Sequence, residues 1–511
     1  MLTGAGTGIG RVVSSPAGID CIIGGGGTAG ATGCSETLDG GTGVTLNLTL
    51  WTGSTVTGWS GTGSSCAGVA CSVTMDQART VTVTLGGRAG DVNGDGLVNQ
   101  ADLDLVTADF GRTDKPPTDI NRDGIVDGRD LGIVLSNWTG AGVLGRVSAG
   151  IGHTCGVASS GAAYCWGDNV YGGLGNGTTT GSLIPVAVSG GLTFATVSVG
   201  SWYTCGVTTS GAAYCWGENS YGELGNGTTS RTTTSLTPVA VSGGLTFATV
   251  SAGQAFHTCG VTTSGAAYCW GQNGSGQLGN GTTAGSLIPV AVSGGLTFAS
   301  ISTGYLETCG VTTSGAAYCW GFNSFGASGN GTATQSTTPV AVSGGLTFAA
   351  VSAGFYFTCG VTTSGAAYCW GGNGGGQLGN GTTTGSLIPV AVSGGHTFTT
   401  ITAGASETCG VTTSGVAYCW GYNGYGELGN GTITNSATPV AVSGGLTFAA
   451  VSVGGSGSTI GPHTCGVTTS GAANCWGYNG YGQLGDGTSG TNRLTPVAVS
   501  GGLMFAARRA P

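Results

Sequence analysis

Short runs of alternating apolar and polar residues, separated by glycine, fill most of this chain. Near the start, residues 44–50 and 79–85 alternate with a period of two, the pattern of half-buried strands. From residue 145 onward such runs recur in groups of four, as they do over 197–247. The pattern predicts an all-β chain of many short strands joined by glycine-rich turns.

One block of sequence, Cys-Gly-Val-x-x-Ser-Gly-x-Ala-x-Cys-Trp-Gly, occurs seven times between residues 155 and 477. A period of about fifty residues, with four strand patterns in each unit, is typical of a β-propeller. The order of the strands and the pattern Trp-Gly-x-Asn-x-x-Gly-x-Leu-Gly, as in 216–225, resemble the regulator-of-chromosome-condensation repeat. That resemblance implies a seven-bladed β-propeller over residues 145–507.

The two cysteines of each block lie ten residues apart, on either side of a Ser-Gly turn. A three-residue loop at 159–161, with Gly161 in the left-handed position, places Cys155 opposite Cys165 on antiparallel strands, where a disulfide can form. Each such bond contributes on the order of 2–3 kcal/mol by the chain-entropy estimate. The sequence predicts seven of them: Cys155–Cys165, Cys205–Cys215, Cys259–Cys269, Cys309–Cys319, Cys359–Cys369, Cys409–Cys419 and Cys465–Cys475.

Composition and charge limit the partners and locations that this chain can have. Only 6% of the residues are charged, and the net charge of −9 is concentrated in residues 91–130, which contain ten aspartates and four basic residues. Because phosphate binding needs a basic face, this distribution excludes a nucleic-acid partner. No run of apolar residues is long enough to predict a membrane span.

The cysteine content indicates an oxidising compartment, because the 18 cysteines are even in number and regularly paired. The N-terminus lacks both the charged and the apolar segment of a signal peptide. We therefore expect the chain to be the C-terminal part of a longer secreted or cell-surface precursor.

Residues 1–87 predict a small β domain with cysteines of its own. Segments 14–21, 58–61 and 71–75 resemble the divergent internalin-type repeat of bacterial surface proteins. We predict the pairs Cys21–Cys34 and Cys66–Cys71, one of the three pairings that four cysteines allow. Zinc binding by Cys66 and Cys71 is the alternative, which an oxidising compartment disfavours.

Two twelve-residue segments, 91–102 and 119–130, carry the pattern of calcium-binding loops. Calcium takes roughly six to eight oxygen ligands, which such loops supply from alternate positions around a glycine at the sharp turn. Gly96 and Gly124 stand at these turns. The predicted ligands of two Ca²⁺ ions are Asp91, Asn93, Asp95, Leu97, Asn99, Asp102, Asp119, Asn121, Asp123, Ile125, Asp127 and Asp130.

Each calcium loop is followed by apolar residues at helical spacing, over 103–110 and 131–138, which predicts a small α module at 90–140. Paired loop-and-helix units with aspartate at the last ligand position resemble a dockerin, the module that binds cohesins in cellulosome-type assemblies. The resemblance implies a cohesin-like partner. The alternative is a calcium-rigidified spacer between domains.

The seven units differ mainly just before each Thr-Cys pair and just after each Trp-Gly pair. Aromatic residues at such loop tips favour a binding surface, because they present large rigid apolar area. The predicted partner-binding residues are Trp202, Tyr203, Phe256, Tyr305, Phe355, Tyr356 and Phe357. The alternative is that some of them belong to the core. A glycan surface would need coplanar rings flanked by Asp, Asn or Arg, whereas a protein surface would form one contiguous patch.

No nucleophile-and-base set and no paired carboxylates recur in the repeats. The sequence therefore predicts a non-enzymatic, monomeric, secreted or cell-surface protein that binds a protein or a glycan through its propeller loops. The alternatives are a secreted hydrolase, a hydrolase inhibitor, or a calcium-dependent, cohesin-docked component of an assembly. His153, His257 and His463 share one repeat position, but different blades hold them too far apart to share a metal ion.

The calcium loops make a direct prediction for the whole protein. Calorimetric titration should detect two bound Ca²⁺ ions, and Asp91→Ala or Asp119→Ala should each remove one, because each deletes the first ligand of one loop. Asp168→Asn, which changes an acid of the repeats, is the control. Two sites of unchanged affinity in both loop variants would contradict the assignment.

Overall fold

The computed structural model describes residues 147–455 and 460–505, the strands between residues 2 and 87, and residues 92, 113 and 118–120. The chain divides into two compact units, residues 1–140 and 141–510. Of the predicted calcium ligands only Asp119 is among the described residues, and it is buried. The other calcium ligands and the two helices of the predicted α module lie outside them, so both features stay predictions.

The first unit contains two sheets, with strand orders β1-β8-β5 and β3-β2-β4-β7-β6. The strands are β1 (Leu2–Gly6), β2 (Ile9–Ser15), β3 (Asp20–Gly24), β4 (Thr42–Leu50), β5 (Ser54–Ser60), β6 (Ser64–Ala67), β7 (Ala70–Met75) and β8 (Val81–Gly87). In β4, Val44, Leu46 and Leu48 are buried, which confirms the predicted alternation. The backbone register places Cys66 opposite Cys71, as the predicted pair requires.

Seven four-stranded sheets follow, each formed by four strands that are consecutive in the sequence. Adjacent strands within each sheet are antiparallel, so every repeat builds one blade, and the predicted seven-bladed propeller is confirmed. Blades 1–4 contain β9–β12 (Val147–Ala149, His153–Val157, Ala163–Gly167, Ser182–Ala187), β13–β16 (Phe194–Val199, Tyr203–Thr208, Ala213–Asn219, Ser230–Ala240), β17–β20 (Phe247–Ala252, His257–Thr262, Ala267–Gly271, Ser286–Ala291) and β21–β24 (Phe298–Thr303, Glu307–Thr312, Ala317–Gly321, Ser336–Ala341). Blades 5–7 contain β25–β28 (Phe348–Ala353, Phe357–Thr362, Ala367–Gly371, Ser386–Ala391), β29–β32 (Phe398–Ala403, Glu407–Thr412, Ala417–Gly421, Ser436–Ala441) and β33–β36 (Phe448–Val453, His463–Thr468, Ala473–Gly477, Arg493–Ala498).

The first strands of the blades contact one another around a closed ring, in which β33 of blade 7 meets β9 of blade 1. They surround a central cavity of about 110 Å³. Serine hydroxyls link neighbouring first strands: Ser148 Oγ accepts the N–H of Val199 at 3.0 Å, and five further boundaries repeat the bond. At the remaining boundary the hydroxyl of Thr402 donates to Val451 O at 2.9 Å.

The C-terminal end of the propeller completes blade 1. Phe194 begins the first strand of blade 2, and its N–H donates to Gly161 O of blade 1 at 2.8 Å. Phe505 makes the equivalent bond to Gly471 O of blade 7 at 2.8 Å and pairs with Ala158 of blade 1. Residues from both ends of the array therefore build blade 1, and this closes the ring.

All seven predicted propeller disulfides are present, each between Cys residues ten positions apart on the second and third strands of a blade. Cys155 lies directly opposite Cys165, with a Cα–Cα distance of 4.0 Å. Gly161 has a φ of 81°, the left-handed conformation that the three-residue loop requires.

The hydrophobic core lies between blades rather than within them. At each of the seven boundaries, the cysteine pair of one blade packs against an aromatic pair of the next blade. Between blades 1 and 2, Cys155 and Leu174 meet Phe194 and Trp216, whose ring centroids are 5.7 Å apart. Between blades 7 and 1, Phe505 takes the place of Phe194 and lies 6.1 Å from Trp166.

One carbonyl oxygen at each boundary accepts two hydrogen bonds from the next blade. Trp216 Nε1 and Thr204 Oγ1 both donate to Gly173 O, at 2.9 and 3.0 Å. The other six boundaries repeat the arrangement, at 2.8–2.9 Å for tryptophan and 2.9–3.0 Å for threonine. The indole approaches so closely that a Cβ on Gly175 would lie 2.6 Å from Trp216 Nε1.

The described residues contain no helix, and hence none that is long and apolar enough to cross a membrane.

Ring closure by Phe505 can be tested against its neighbour Met504. Phe505→Ala should lower the free energy of unfolding by about 3–5 kcal/mol, because Phe505 is fully buried between blades 7 and 1. Met504→Ala should change it by less than about 0.5 kcal/mol, because Met504 is 48% exposed. Denaturant unfolding followed by tryptophan fluorescence measures both, and equal effects of the two substitutions would contradict the closure.

Candidate functional site

Two sets of connections lie at the same end of every blade. Because adjacent strands are antiparallel, the connection between the first and second strands and the connection between the third and fourth strands leave the blade at one end. We call this end the loop face. Its described residues are 150–152, 200–202, 253–256, 304–306, 354–356, 404–406, 454–455 and 460–462, together with 168–181, 220–229, 272–285, 322–335, 372–385, 422–435 and 478–492.

Five of the seven predicted binding residues are half-buried on the loop face: Trp202, Phe256, Tyr305, Phe355 and Tyr356. The prediction is wrong for Tyr203 and Phe357, which have no exposed surface. Each of these two begins the second strand of its blade, two residues before a buried cysteine. Since side chains two residues apart on a strand share a face, the spacing from the cysteine is the sequence signal that marks them as core.

The position of Tyr203 and Phe357 is buried in every blade, and in several blades its side chain bonds to the next blade. In the other blades it holds His153, His257, Glu307, Glu407 and His463, all buried. His153 Nε2 lies 2.9 Å from Thr204 Oγ1, whose own proton goes to Gly173 O, so the histidine is the donor. His257 and His463 make the same contact at 3.0 and 2.7 Å. The three histidines therefore bind threonines of the following blade, and no cluster of metal-binding side chains occurs among the residues the structure describes.

Five aromatic rings meet where blades 4 and 5 adjoin on the loop face. We call Tyr305, Phe322, Phe325, Phe355 and Tyr356 the aromatic patch. The ring of Tyr356 lies 4.5–5.5 Å from the other four ring centroids, and Tyr305 lies 4.1 Å from Phe355. Phe325 is 52% exposed, so the patch opens to solvent.

Backbone strain occurs at two of the loop tips. Phe256 and Tyr356 have φ values of 59° and 66°, the left-handed region that residues with side chains rarely adopt. The strained backbone of Tyr356 is held by a bond from its N–H to Glu307 Oε1 at 3.1 Å. Such strain, of order 1–3 kcal/mol per residue, concentrates at binding and active sites.

Two further aromatic pairs cross blade boundaries on the loop face. Tyr171 of blade 1 lies 5.4 Å from Trp202 of blade 2, and Tyr221 of blade 2 stacks on Phe256 of blade 3 at 5.1 Å. In each pair, the connection between the third and fourth strands of one blade meets the connection between the first and second strands of the next blade. The two variable places of the sequence therefore form one surface, which the separation along the chain conceals.

Four buried glutamates lie beneath the loop face. Burial raises the pKa of Glu223 and Glu427 from 4.5 to about 7 and that of Glu307 to about 8. Burial and then the charge of Glu427 raise the pKa of Glu407. Burial acts oppositely on the histidines, lowering the pKa of His153 and His463 to about 3 and that of His257 to about 4.

Glu407 lacks the second hydrogen bond that Glu307 has. Glu307 Oε1 accepts the N–H of Tyr356 in the next blade, but the residue at the corresponding place after Glu407 is Pro462, which has no N–H. Glu407 Oε1 and Glu427 Oε1 are both buried without a hydrogen-bond partner. The raised pKa values of both carboxyls favour their protonated forms.

Comparison with known families identifies the repeat. The Regulator of chromosome condensation (RCC1) repeat matches in two forms, one at residues 146–172, 194–223, 247–277, 298–327, 348–377 and 398–427, the other at 160–207, 210–260, 264–311, 364–411 and 414–460. Together the matches cover residues 146–327 and 348–460, more than half of the chain. The chain belongs to the RCC1-repeat family.

Solved structures share this RCC1-repeat fold at low sequence identity. Human WBSCR16 is 19% identical with a TM-score of 0.58, over 66% of this chain and 94% of that one. Yeast RCC1 (Prp20), in its complex with Kap60, is 17% identical with a TM-score of 0.59, over 70% of this chain and 85% of that one. Another structure of Prp20p from Saccharomyces cerevisiae is 16% identical with a TM-score of 0.59, over 70% and 88% of the two chains. At these identities the likeness shows the fold alone.

The buried pair in blade 6 of this RCC1-repeat propeller predicts the effect of Glu427→Gln. Gln483 shows that glutamine fits this place, because its Oε1 accepts the N–H of Tyr481 as Glu427 Oε2 accepts that of Tyr425. The folded pKa of Glu427 lies above 4.5, so its stabilising protonation is complete below pH 4.5 and is lost as the pH rises through about 7. The variant should therefore exceed the wild type in stability by about 1–3 kcal/mol at pH 8 and match it near pH 4.5.

Unfolding in denaturant at a series of pH values measures this difference. Gln377→Glu in blade 5, where Phe357 replaces the second carboxylate, is the matched control, and it should lose stability as the pH rises. A Glu427→Gln advantage that is independent of pH would contradict the raised pKa of Glu427.

Proposed function

We propose that this chain is a non-enzymatic binding protein of an oxidising extracellular environment, whose propeller binds a protein partner through the loop face. The observation that carries the proposal is the aromatic patch, in which two blades bring five rings into mutual contact at the surface. Aromatic residues dominate binding energy at protein interfaces because they bury large rigid area at low entropic cost.

The geometry of the patch favours a protein over a glycan. The ring planes are inclined to one another by 31–85°, whereas a sugar needs coplanar faces to stack on. The rings also form one contiguous surface, which suits an apolar segment of a protein. Prp20, which has the same fold, is described with binding to Gsp1p and histones, so this fold does serve protein recognition.

The disulfides support the extracellular setting. Seven disulfides in one domain persist in an oxidising compartment and are rare in the cytosol. The calcium loops at 91–130 would then serve as an accessory module. With Ca²⁺ bound they would dock a cohesin-like partner or hold the neighbouring domains apart.

The aromatic patch can be removed with residues that already occupy the equivalent positions in blade 3. Gln272 and Ser275 occupy the places of Phe322 and Phe325, so Phe322→Gln with Phe325→Ser gives blade 4 the loop residues of blade 3. Affinity capture from the medium of the producing cells should recover a protein with the wild type. The double variant should bind that protein at least about tenfold more weakly.

The matched control removes two exposed apolar residues from the outer strand of blade 1. Leu183→Thr with Ile184→Thr changes side chains that are 40% and 49% exposed, and threonines occupy these places in blade 4. This control should bind as the wild type does. Equal affinity of the patch variant and the wild type would exclude the patch as the binding site.

A further inference from the structure

Trp202 differs from every other tryptophan that the structure describes in the propeller. The other seven are fully buried at the blade boundaries, one in each blade. Trp202 is half-buried on the loop face, and its ring lies 5.4 Å from that of Tyr171, which is 39% exposed. Blades 1 and 2 therefore present an open surface made of an indole and a phenol.

Two acidic residues adjoin this tryptophan, Asp168 through its side chain and Glu218 through its backbone. The residue after Trp-Gly is Asp168 in blade 1 and Glu218 in blade 2, whereas the other five blades have Gln272, Phe322, Gly372, Tyr422 and Tyr478 there. Glu218 N donates to Trp202 O at 3.2 Å, and Asp168 N donates to Gly152 O at 2.9 Å. A Cβ on Gly152 would lie 3.2 Å from both Asp168 Cβ and Trp202 Cζ3, so these two side chains are close neighbours.

Neither carboxylate forms a salt bridge among the described residues. Arg493 of blade 7 is instead paired with Asp486, at 2.8 Å. Asp168 Oδ1 accepts only the N–H of Val170, at 3.0 Å. Glu218 Oε1 accepts the hydroxyl of Ser220 at 2.9 Å, and its Oε2 has no hydrogen-bond partner. The Asp168 carboxylate is thus close to the indole, and no protein cation among the described residues pairs with either acid.

We infer that Trp202, Tyr171, Asp168 and Glu218 form a site for an arginine side chain of the protein partner. A guanidinium stacks on aromatic faces, tryptophan being the best of them, and its N–H groups match the two oxygens of a carboxylate. Glu218 Oε2 is buried without a hydrogen-bond partner, and a donor of this kind would satisfy it. The inference rests on the proposal that the loop face is the binding surface, and it assigns the chemistry of one contact.

Trp202 provides its own signal for the test. The full chain is labelled with ¹⁵N-tryptophan, and the indole resonance that disappears in Trp202→Phe belongs to Trp202. Titration with acetyl-arginine-amide should shift that resonance saturably and leave the buried tryptophans unchanged, with a dissociation constant on the order of millimolar. The citrulline analogue, which has the same shape without the charge, should cause no shift.

The matched variant again uses blade 3. Asp168→Gln with Glu218→Gln gives blades 1 and 2 the residue of Gln272, and it should weaken arginine binding at least about tenfold while leaving the fold intact. A Trp202 resonance unmoved by arginine, an equal shift with citrulline, or unchanged binding in the double glutamine variant would each overturn the site. A shift by a neutral oligosaccharide and not by arginine would reassign it to a glycan.

The test of the arginine site can succeed or fail independently of the test of the proposed function. Phe322→Gln with Phe325→Ser changes blade 4 alone, so it should retain the arginine response of Trp202. If that response is intact while the patch variant still captures the partner, the arginine site stands and the patch proposal fails. If the patch variant loses the partner but arginine leaves Trp202 unmoved, the reverse holds.

Discussion

The propeller depends on a hydrogen-bond junction repeated at every blade boundary. One carbonyl oxygen, such as Gly173 O, accepts the indole N–H of a tryptophan and the hydroxyl of a threonine from the next blade. Because a buried indole needs an acceptor for its N–H, the junction permits the largest side chain of the repeat to lie in the core. No blade contains both halves of a junction, so a single repeat cannot complete its own core, and the closed ring of seven can.

At the loop face, the residues that vary among the repeats fall into two groups. One variable position turns inward, where His153, Tyr203, Glu307 and Phe357 each contact the next blade in a different way. The neighbouring variable residues turn outward and supply Trp202 and the aromatic patch. A buried structural position and residues of the proposed binding surface are therefore adjacent in the sequence, with side chains that point in opposite directions.

The two surface features of the loop face, the aromatic patch and the surroundings of Trp202, differ in chemical character. The aromatic patch of blades 4 and 5 has one exposed ring, that of Phe325, and no charged side chain among its five members, whereas in blades 1 and 2 two acidic residues adjoin Trp202. A partner that used both would carry an apolar segment and, separately, a cation. In blade 6, burial raises the pKa of the Glu407 and Glu427 carboxyls, which favours their uncharged forms beneath the loop face.

The repeat period, the four strand patterns and the Cys-x₉-Cys spacing alone determined the seven blades and their disulfides, because these are local features set by short-range pairing. Aromatic residues in the variable segments also indicated side chains that lie partly exposed on the loop face, namely Trp202, Phe256 and Tyr356. The spacing of Tyr203 and Phe357 from the nearest cysteine already marks them as core, but only the tertiary structure decided that Phe505 completes blade 1 and that Tyr356 meets Phe322 and Phe325. Each of these contacts joins residues of different blades, and packing across a closed ring depends on which side chains the ring brings together rather than on their order in the chain.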